Sequence, residues 1–207
     1  IGLFAIVATP YSLKFLWAPF IDVLPFPLLS RMFGRRRGWM MAIQIALMLS
    51  IIGLAMASPV IDPWHTAFWA VLVAFFSASQ DIVIDAYRVE ILEKEQYGAG
   101  AAMVQYGYRI GMLASGAGAL LLADHLGWFL AYISMAGLVG IGFITVLFSR
   151  EPNTQVKQTA LPSDVVDWLR TIVITPFADF MKRSQWLMLL LFVLLYKMGD
   201  AFLGTMT

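Results

Sequence analysis

The sequence has no cysteine and few charged residues. The absence of cysteine among 207 residues excludes disulfide bonds and thiolate metal sites within the chain. Charged residues make up 13% of the chain and the net charge is +1, so nothing indicates a nucleic-acid partner. The sequence also lacks a phosphate-binding glycine loop, a His-Glu-x-x-His helix and a nucleophile elbow. We therefore expect neither a cofactor nor a metal site.

Hydrophobic residues dominate the sequence instead. They make up 60% of it, and the mean hydropathy is +0.79, well above the roughly half-apolar composition of soluble domains. Seven tryptophans and fifteen phenylalanines are typical of a chain in a lipid bilayer. Because the chain begins at Ile1 and ends at Thr207 inside apolar runs, we expect it to be an internal part of a longer multi-pass membrane protein.

Five complete membrane spans and one incomplete span can be placed along the chain. A helix needs about 20 apolar residues to cross a bilayer. The predicted spans are 1–20, which Pro10 and Pro19 interrupt, 39–58, 66–87, 99–122, 128–148, and a last one that starts near residue 185. The fold class predicted is therefore an all-α membrane protein, a bundle of transmembrane helices.

The basic residues occur on alternate loops only. Arginines and lysines follow the first, third and fifth spans, whereas the loops 59–65 and 123–127 contain neither. By the positive-inside rule, the basic loops lie in the cytoplasm.

The longest connection, 150–184, is predicted to be a cytoplasmic linker with an amphipathic helix. Ser163 is a plausible N-cap, and the apolar residues that follow it share one helical face up to Pro176. Such a helix lies at the membrane surface, and we interpret it as a tether. This gives three parts: a transmembrane bundle over 1–149, the linker over 150–184, and the first helix of a second bundle over 185–207.

The third span carries a stripe of polar residues that lipid alone would not tolerate. Ser77, Asp81, Asp85 and Arg88 lie at i, i+4, i+8 and i+11, on one side of a helix. Intramembrane carboxylates persist where they pair, face a cavity or take part in function. We interpret Asp81, well inside the span, as functional, and Asp85 as an interfacial carboxylate that pairs with Arg88 or with the basic loop.

The fourth span places a cation near the middle of the membrane. Arg109 lies one turn from Gln105 and is predicted either to be the counter-ion of an acidic residue or to bind an anionic group of a substrate. Small residues recur around it at every fourth position, a pattern that permits close helix packing. These residues are Gly107, Gly111, Ser115 and Ala119.

Further charges lie on the first and last spans. Lys14 either extends to the cytoplasmic interface or contacts a substrate. Lys197 and Asp200 are at i and i+3, so they either neutralise each other or contribute to function. Because charges on four different spans are unlikely to arise separately, we predict that they share one polar cavity.

The loop after the first span combines an acid with an arginine cluster. Asp22 ends the span, and Gly34, Arg35, Arg36 and Arg37 open the next one. Contacts between charges and helix ends depend on conformation, so they can latch one transport state. The alternative is that the arginines only set the topology.

Several stretches together resemble the AmpG-type muropeptide permeases of the major facilitator superfamily. They are SLKFLWAP (12–19), GRRRGW (34–39), SASQDIV (77–83), GAGAA (98–102), GYRIGM (107–112) and YKMGDA (196–201). The resemblance implies the second to seventh helices of a twelve-helix transporter, with residues 150–184 linking the two halves. It also implies a non-enzymatic, proton-driven importer of anhydromuropeptides in the bacterial inner membrane, which serves peptidoglycan recycling and β-lactamase induction.

Two departures from the superfamily pattern concern mechanism. The first concerns the loop after the first span. In the superfamily a basic residue usually follows the loop aspartate, whereas Val23 follows Asp22 in this chain. The segment 24–33 is also long and carries Arg31. We therefore expect a latch that is built differently. The fourth span lacks the proline of the antiporter signature, which removes support for antiport.

The resulting site hypothesis combines residues from several spans. Asp81 with Gln80 is the predicted proton or substrate site, and Arg109 is its counter-ion or a substrate anchor. The other predicted contacts are Gln105, Tyr108, Lys14, Lys197 and Asp200. The alternatives are a related carrier of another large polar solute, such as an acyl-coenzyme A, and a membrane enzyme that acts on lipid-linked sugars.

Overall fold

The computed structural model describes residues 6–7, 9–152 and 174–205, with backbone alone for residues 176, 196–197 and 199–205. All structural statements concern these parts of the chain. The chain forms two compact units, Ile1–Thr154 and Gln155–Thr207. The predicted division into 1–149, 150–184 and 185–207 stays a prediction. Its amphipathic helix between Ser163 and Pro176 falls almost entirely outside the described residues.

Three helices of the first unit are long and apolar enough to span a membrane. They are α4 (Arg35–Met56), α5 (Pro63–Ile91) and α8 (Trp128–Phe148). They coincide with the second, third and fifth predicted spans to within a few residues. The start of α5 follows from its sequence, because Asp62 Oδ1 accepts the backbone N–H groups of Trp64 (3.1 Å) and His65 (3.0 Å). Pro63 occupies the first turn, where no N–H is needed.

The helix α4 is the centre of this unit and packs against both α5 and α8. Near its arginine-bearing end, Met40, Met41 and Ile43 form a buried cluster with Val83 of α5 and Val146 of α8. A second cluster continues toward the other end. Gly53 permits the close approach of α5, since a Cβ there would lie 2.5 Å from the ring of Trp69. We call the ends of α4, α5 and α8 near Arg35, Ile91 and Phe148 the basic end.

The first predicted span is divided into short pieces. The helix α1 covers Thr9–Leu13, a 3₁₀ turn covers Lys14–Leu16 and α2 covers Ala18–Val23. Pro19 lies in the first turn of α2, where proline is tolerated. The long loop that follows contains another short helix, α3, over Leu29–Phe33. Because the segment is divided, its side chains point in directions that a single continuous helix would not give them.

The fourth predicted span is helical but makes few contacts among the described residues. It consists of α6 (Tyr97–Leu113), a π-helical turn (Ala114–Gly118) and α7 (Ala119–Leu126). Only α7 packs substantially against α8. A Cβ built at Gly107 or Gly111 would meet nothing within 4 Å, so the predicted close packing along the small-residue ladder is not found in the described part of the chain.

The second unit contributes two described helices, α9 (Thr175–Met181) and α10 (Trp186–Thr205). The incomplete last span predicted from residue 185 thus corresponds to α10. Lys197 and Asp200 lie on this helix, but their side chains are outside the described ones.

Candidate functional site

Asp81 lies on the exposed face of α5, and the lysine of the N-terminal segment is its cationic neighbour. Lys14, in the 3₁₀ turn, and Asp85, one helical turn along α5, both interact with Asp81 electrostatically. Lys14 opposes the charge of Asp81, whereas Asp85 has the same sign. The structure thus assigns Lys14 to the acidic stripe and does not leave it extended into solvent alone.

Two hydrogen bonds hold Lys14 in this place. Tyr11, three residues before it, shares a hydrogen bond with Ser77 of α5, with 2.6 Å between the two hydroxyl oxygens. Trp17, three residues after it, donates from Nε1 to Ser79 Oγ at 3.0 Å. The ring of Trp17 also packs against Phe75, with ring centroids 4.8 Å apart. Both sides of the lysine are therefore fixed to the helix that carries Asp81.

Arg109 was predicted to be the counter-ion of Asp81 or an anchor for a substrate. It is exposed on α6, and no ion pair in the described part of the chain includes it. The physical reason is that α6 packs only weakly against the rest of the unit. Tyr108, next to Arg109, interacts electrostatically with Tyr11. The predicted roles of Arg109, as counter-ion or substrate anchor, and of exposed Gln105, as a substrate contact, stay predictions.

Gln80 and Gln44 place amide oxygens in buried positions. The Oε1 atoms of both residues are buried and accept no hydrogen bond from the described residues. Gln44 is 2% exposed, and its Nε2 would lie 3.1 Å from a Cβ at Gly142, so the glycine of α8 provides the space for its amide. Sequence reasoning named Gln80 but missed Gln44, which lies in an apolar stretch of α4.

The predicted loop clamp is present at the basic end, with Arg36 at its centre. Arg36 is 5% exposed. Its guanidinium lies 2.7 Å from Asp22 Oδ1 and also pairs with Glu90 Oε1, to which its Nε donates at 3.0 Å. Arg35 donates to the carbonyl oxygen of Asp22 and lies 3.3 Å from Glu90. The acid of α2 is thereby tied to α4 and α5.

This geometry replaces the basic residue that the superfamily pattern has after the loop aspartate, where this chain has Val23. The carboxylate of Asp22 receives its cation from Arg36, fourteen residues later, and not from a neighbouring residue in sequence. The long loop fits because α3 lies tightly on the start of α4. A Cβ at Gly38 would lie 2.8 Å from the backbone nitrogen of Ser30. The contact between the acid and the arginines is therefore built differently from the superfamily pattern, and its role as a latch stays a prediction.

A second set of contacts joins the ends of α4 and α8. The carboxylate of Glu151 accepts the backbone N–H groups of Arg36 (2.9 Å) and Arg37 (3.1 Å). In return, Arg37 donates to the carbonyl oxygens of Val146 (3.1 Å) and Leu147 (2.6 Å). Each helix end thus receives the charge that its dipole favours, an anion at the N-terminus and a cation at the C-terminus.

Sequence reasoning missed Glu90 and Glu151. Glu90 follows Asp81 and Asp85 on the same helix, and this series of acids could have indicated that it also has a role. Glu151 is the first carboxylate after the fifth span, but only its contact with a helix 115 residues earlier reveals its role. The predicted pair between Asp85 and Arg88 is present, with 3.1 Å between Oδ1 and the guanidinium nitrogen.

A cavity of about 470 Å³ is lined by Lys14 and Asp85 together with residues of the clamp. Its charged lining consists of Lys14, Asp22, Arg36, Asp85 and Glu90. No cluster of side chains in the described part of the chain resembles a metal site. The arrangement suits a polar, charge-bearing ligand or a proton far better than it suits covalent chemistry.

Helices apolar and long enough to cross a membrane, with charged residues on them and an acid–arginine clamp at one end, are typical of membrane transporters. The sequence matches the Major Facilitator Superfamily over residues 2–207, and the chain belongs to that family of multi-pass membrane transporters. This membership confirms the predicted helical fold and the assignment to transporters rather than enzymes.

Three curated relatives show which members of this family the chain resembles. The chain is 42% identical over its full length to the anhydromuropeptide permease of Escherichia coli (strain K12), of which it covers 40%. It is 34% identical over 97% of its length to the putative transporter AmpG 4 of Rickettsia felis, and 35% identical, also over 97%, to the putative transporter AmpG 3 of Rickettsia prowazekii. It covers 48% of each of these two relatives. No solved structure matches the chain.

Proposed function

We propose that the chain serves in the import of anhydromuropeptides, N-acetylglucosamine–anhydro-N-acetylmuramyl peptides, across the bacterial inner membrane. The observation that carries the proposal is the pair of opposite charges formed by Lys14 and Asp81 beside apolar helices, because charges at membrane depth usually serve a ligand, an ion or a proton. The 42% identity to a protein named anhydromuropeptide permease supports the substrate class. The proposal extends to peptidoglycan recycling and to β-lactamase induction, which depend on the imported peptides.

The substrate chemistry matches the lining of the site. An anhydromuropeptide presents sugar hydroxyls and peptide carboxylates, which require hydroxyl partners and cations. Tyr11 and Ser77 offer hydroxyl groups beside Asp81, and Lys14 offers a cation. Tyr108 of α6 interacts electrostatically with Tyr11, and we include it with its neighbour Arg109 among the proposed substrate contacts. The roles predicted from the sequence for Lys197 and Asp200 stay predictions.

Proton coupling is the proposed source of energy. A carboxylate whose charge is opposed by a nearby lysine loses that attraction when it binds a proton, since neutral Asp81 no longer attracts Lys14. The freed ammonium group is then available to a substrate carboxylate. Proton and substrate are thereby bound together, as symport requires, and the two bundles rock around this site by alternating access.

The clamp at the basic end is the proposed cytoplasmic gate. The clamp connects the ends of α2, α4, α5 and α8 in this conformation. The residues predicted for it are Asp22, Gly34, Arg35, Arg36 and Arg37. Ion pairs of this kind stabilise the state in which they form. We expect them to be rearranged when the cytoplasmic side opens.

Uptake of labelled muropeptide tests the proposal. Intact cells that express the protein at its natural length should lose uptake on Asp81→Asn, while its amount in the membrane is unchanged. Asp124→Asn is the matched control, because Asp124 is exposed at the other end of the unit and has no ion pair in the described residues. Undiminished uptake by Asp81→Asn would contradict the role of Asp81.

A further inference from the structure

The cavity at the basic end contains one carboxylate that the clamp does not use. Of its lining acids, Asp22 and Glu90 are both bound by Arg36, and Glu90 also by Arg35. Asp85 is the remaining one. Its side chain is 59% exposed, and its ion pair is with Arg88, outside the cavity lining.

Asp85 also lies next to the proposed proton site. It is one helical turn from Asp81 on the same face of α5 and interacts with it electrostatically. Lys14 interacts with Asp81 and lines the cavity together with Asp85. Lys14 is thus close to both carboxylates, and the cavity that it lines with Asp85 also includes the clamp residues Asp22, Arg36 and Glu90.

We propose that Asp85 is the group through which the proton leaves Asp81 toward the cytoplasm. The carboxylic acid proton of Asp81 passes to the carboxylate of Asp85, and from Asp85 to solvent that enters the cavity. As the carboxylate of Asp81 forms again, Lys14 returns to it. No bond other than these O–H bonds forms or breaks. The inference rests on the proton coupling proposed above.

The surrounding charges favour this role for Asp85 over the other acids. The groups that face the cavity around it are Lys14 from the 3₁₀ turn, Asp22 from α2, Arg36 from α4 and Glu90 from α5. Asp22 and Glu90 are held by a nearly buried arginine, so protonating either would open the clamp. The pair between Asp85 and Arg88 is largely exposed and therefore weak, so Asp85 can bind a proton without disturbing the helix ends.

Two transport modes separate this role from a structural one. The protein at its natural length, reconstituted into liposomes, is assayed with a labelled GlcNAc–anhydroMurNAc peptide in two ways. Uptake driven by a proton gradient requires proton release, whereas exchange of labelled for unlabelled peptide at equal pH does not. Asp85→Asn should lose the driven uptake and keep the exchange. Asp85→Glu should retain both.

The control is Arg88→Gln, which removes the same ion pair and leaves the carboxylate in place. It should retain both modes. Gradient-driven uptake by Asp85→Asn at the wild-type rate would overturn the inference. Equal defects in Asp85→Asn and Arg88→Gln would also overturn it. So would the loss of peptide exchange in Asp85→Asn. A wild-type protein that exchanges the peptide but ignores the gradient would instead refute proton coupling, and one that does not transport the peptide would refute the proposed substrate.

Discussion

The carboxylate of Glu151 accepts the backbone N–H of Arg36 at 2.9 Å, although 115 residues separate the two along the chain. Three arginines occupy the first turn of α4, where cations oppose the helix dipole. Glu151 supplies the missing anion. It thereby joins the start of α4 to the point where the first unit ends.

Glu151→Gln is expected to destabilise the first unit. A charge-assisted hydrogen bond contributes about 1.5–3 kcal/mol. Glu151 accepts the N–H of Arg36 with Oε1 and that of Arg37 with Oε2, whereas Gln has one uncharged acceptor oxygen and can serve only one of them. The midpoint of thermal unfolding in detergent should fall. Glu95→Gln is the matched control, because Glu95 is exposed and has no hydrogen bond or ion pair in the described residues. An equal effect of both substitutions would refute the role of Glu151.

Gly34→Ala is expected to be more harmful than a typical glycine substitution. Gly34 has φ +93°, and an alanine Cβ would lie 2.3 Å from the Glu151 side chain. A residue other than glycine in such a backbone region costs about 1–3 kcal/mol, and the clash adds to it. Gly137→Ala on α8 is the control, since nothing lies within 4 Å of its Cβ. Unfolding midpoints measure both, and a stable Gly34→Ala protein would contradict the argument.

Arg36→Gln is expected to be the most destabilising of the clamp substitutions. Removing one partner of a buried ion pair costs about 3–5 kcal/mol, and Arg36 serves both Asp22 and Glu90. The combination with Glu90→Gln should cost less than the sum of the two changes in a double-mutant cycle. Lys182→Gln is the control, because its pair with Asp179 is exposed on both sides and worth about 0–1 kcal/mol. Strict additivity would show that Arg36 and Glu90 act independently.

The clamp and the long spans could be predicted from the sequence because local signals determine them. Apolar length defines α4, α5 and α8, and Asp62 with Pro63 specifies where α5 begins. The arginine cluster after Asp22 indicates a contact at the helix ends. Glu151 was not predicted, because a carboxylate after a span has many possible partners and only tertiary packing selects one.

Lys14 was not singled out as the cationic neighbour of Asp81 for a related reason. Lys14 and Arg109 are both cations at membrane depth, and periodicity alone does not rank them. The choice depends on the break of the first span into α1, a 3₁₀ turn and α2, which turns Lys14 toward α5. It depends also on the hydrogen bonds of Tyr11 and Trp17, which join residues more than 60 positions apart.

Trp17→Phe is expected to weaken transport more than it weakens the fold. The phenylalanine retains the ring contact with Phe75 but loses the hydrogen bond to Ser79, worth about 1 kcal/mol. The 3₁₀ turn would then be fixed to α5 on one side only, so Lys14 would be placed less accurately beside Asp81. Muropeptide uptake should fall while the unfolding midpoint changes little.

The matched variant is Ser79→Ala, which removes the acceptor of the same bond. If the bond positions Lys14, the double variant Trp17→Phe/Ser79→Ala should transport no worse than Trp17→Phe alone, because the interaction is already lost. Trp128→Phe is the control, because the ring of Trp128 is exposed and packs against Tyr132 at a site away from Lys14, and it should leave uptake unchanged. Additive losses in the double variant would show that Trp17 and Ser79 act separately, and the positioning role of their hydrogen bond would then be refuted.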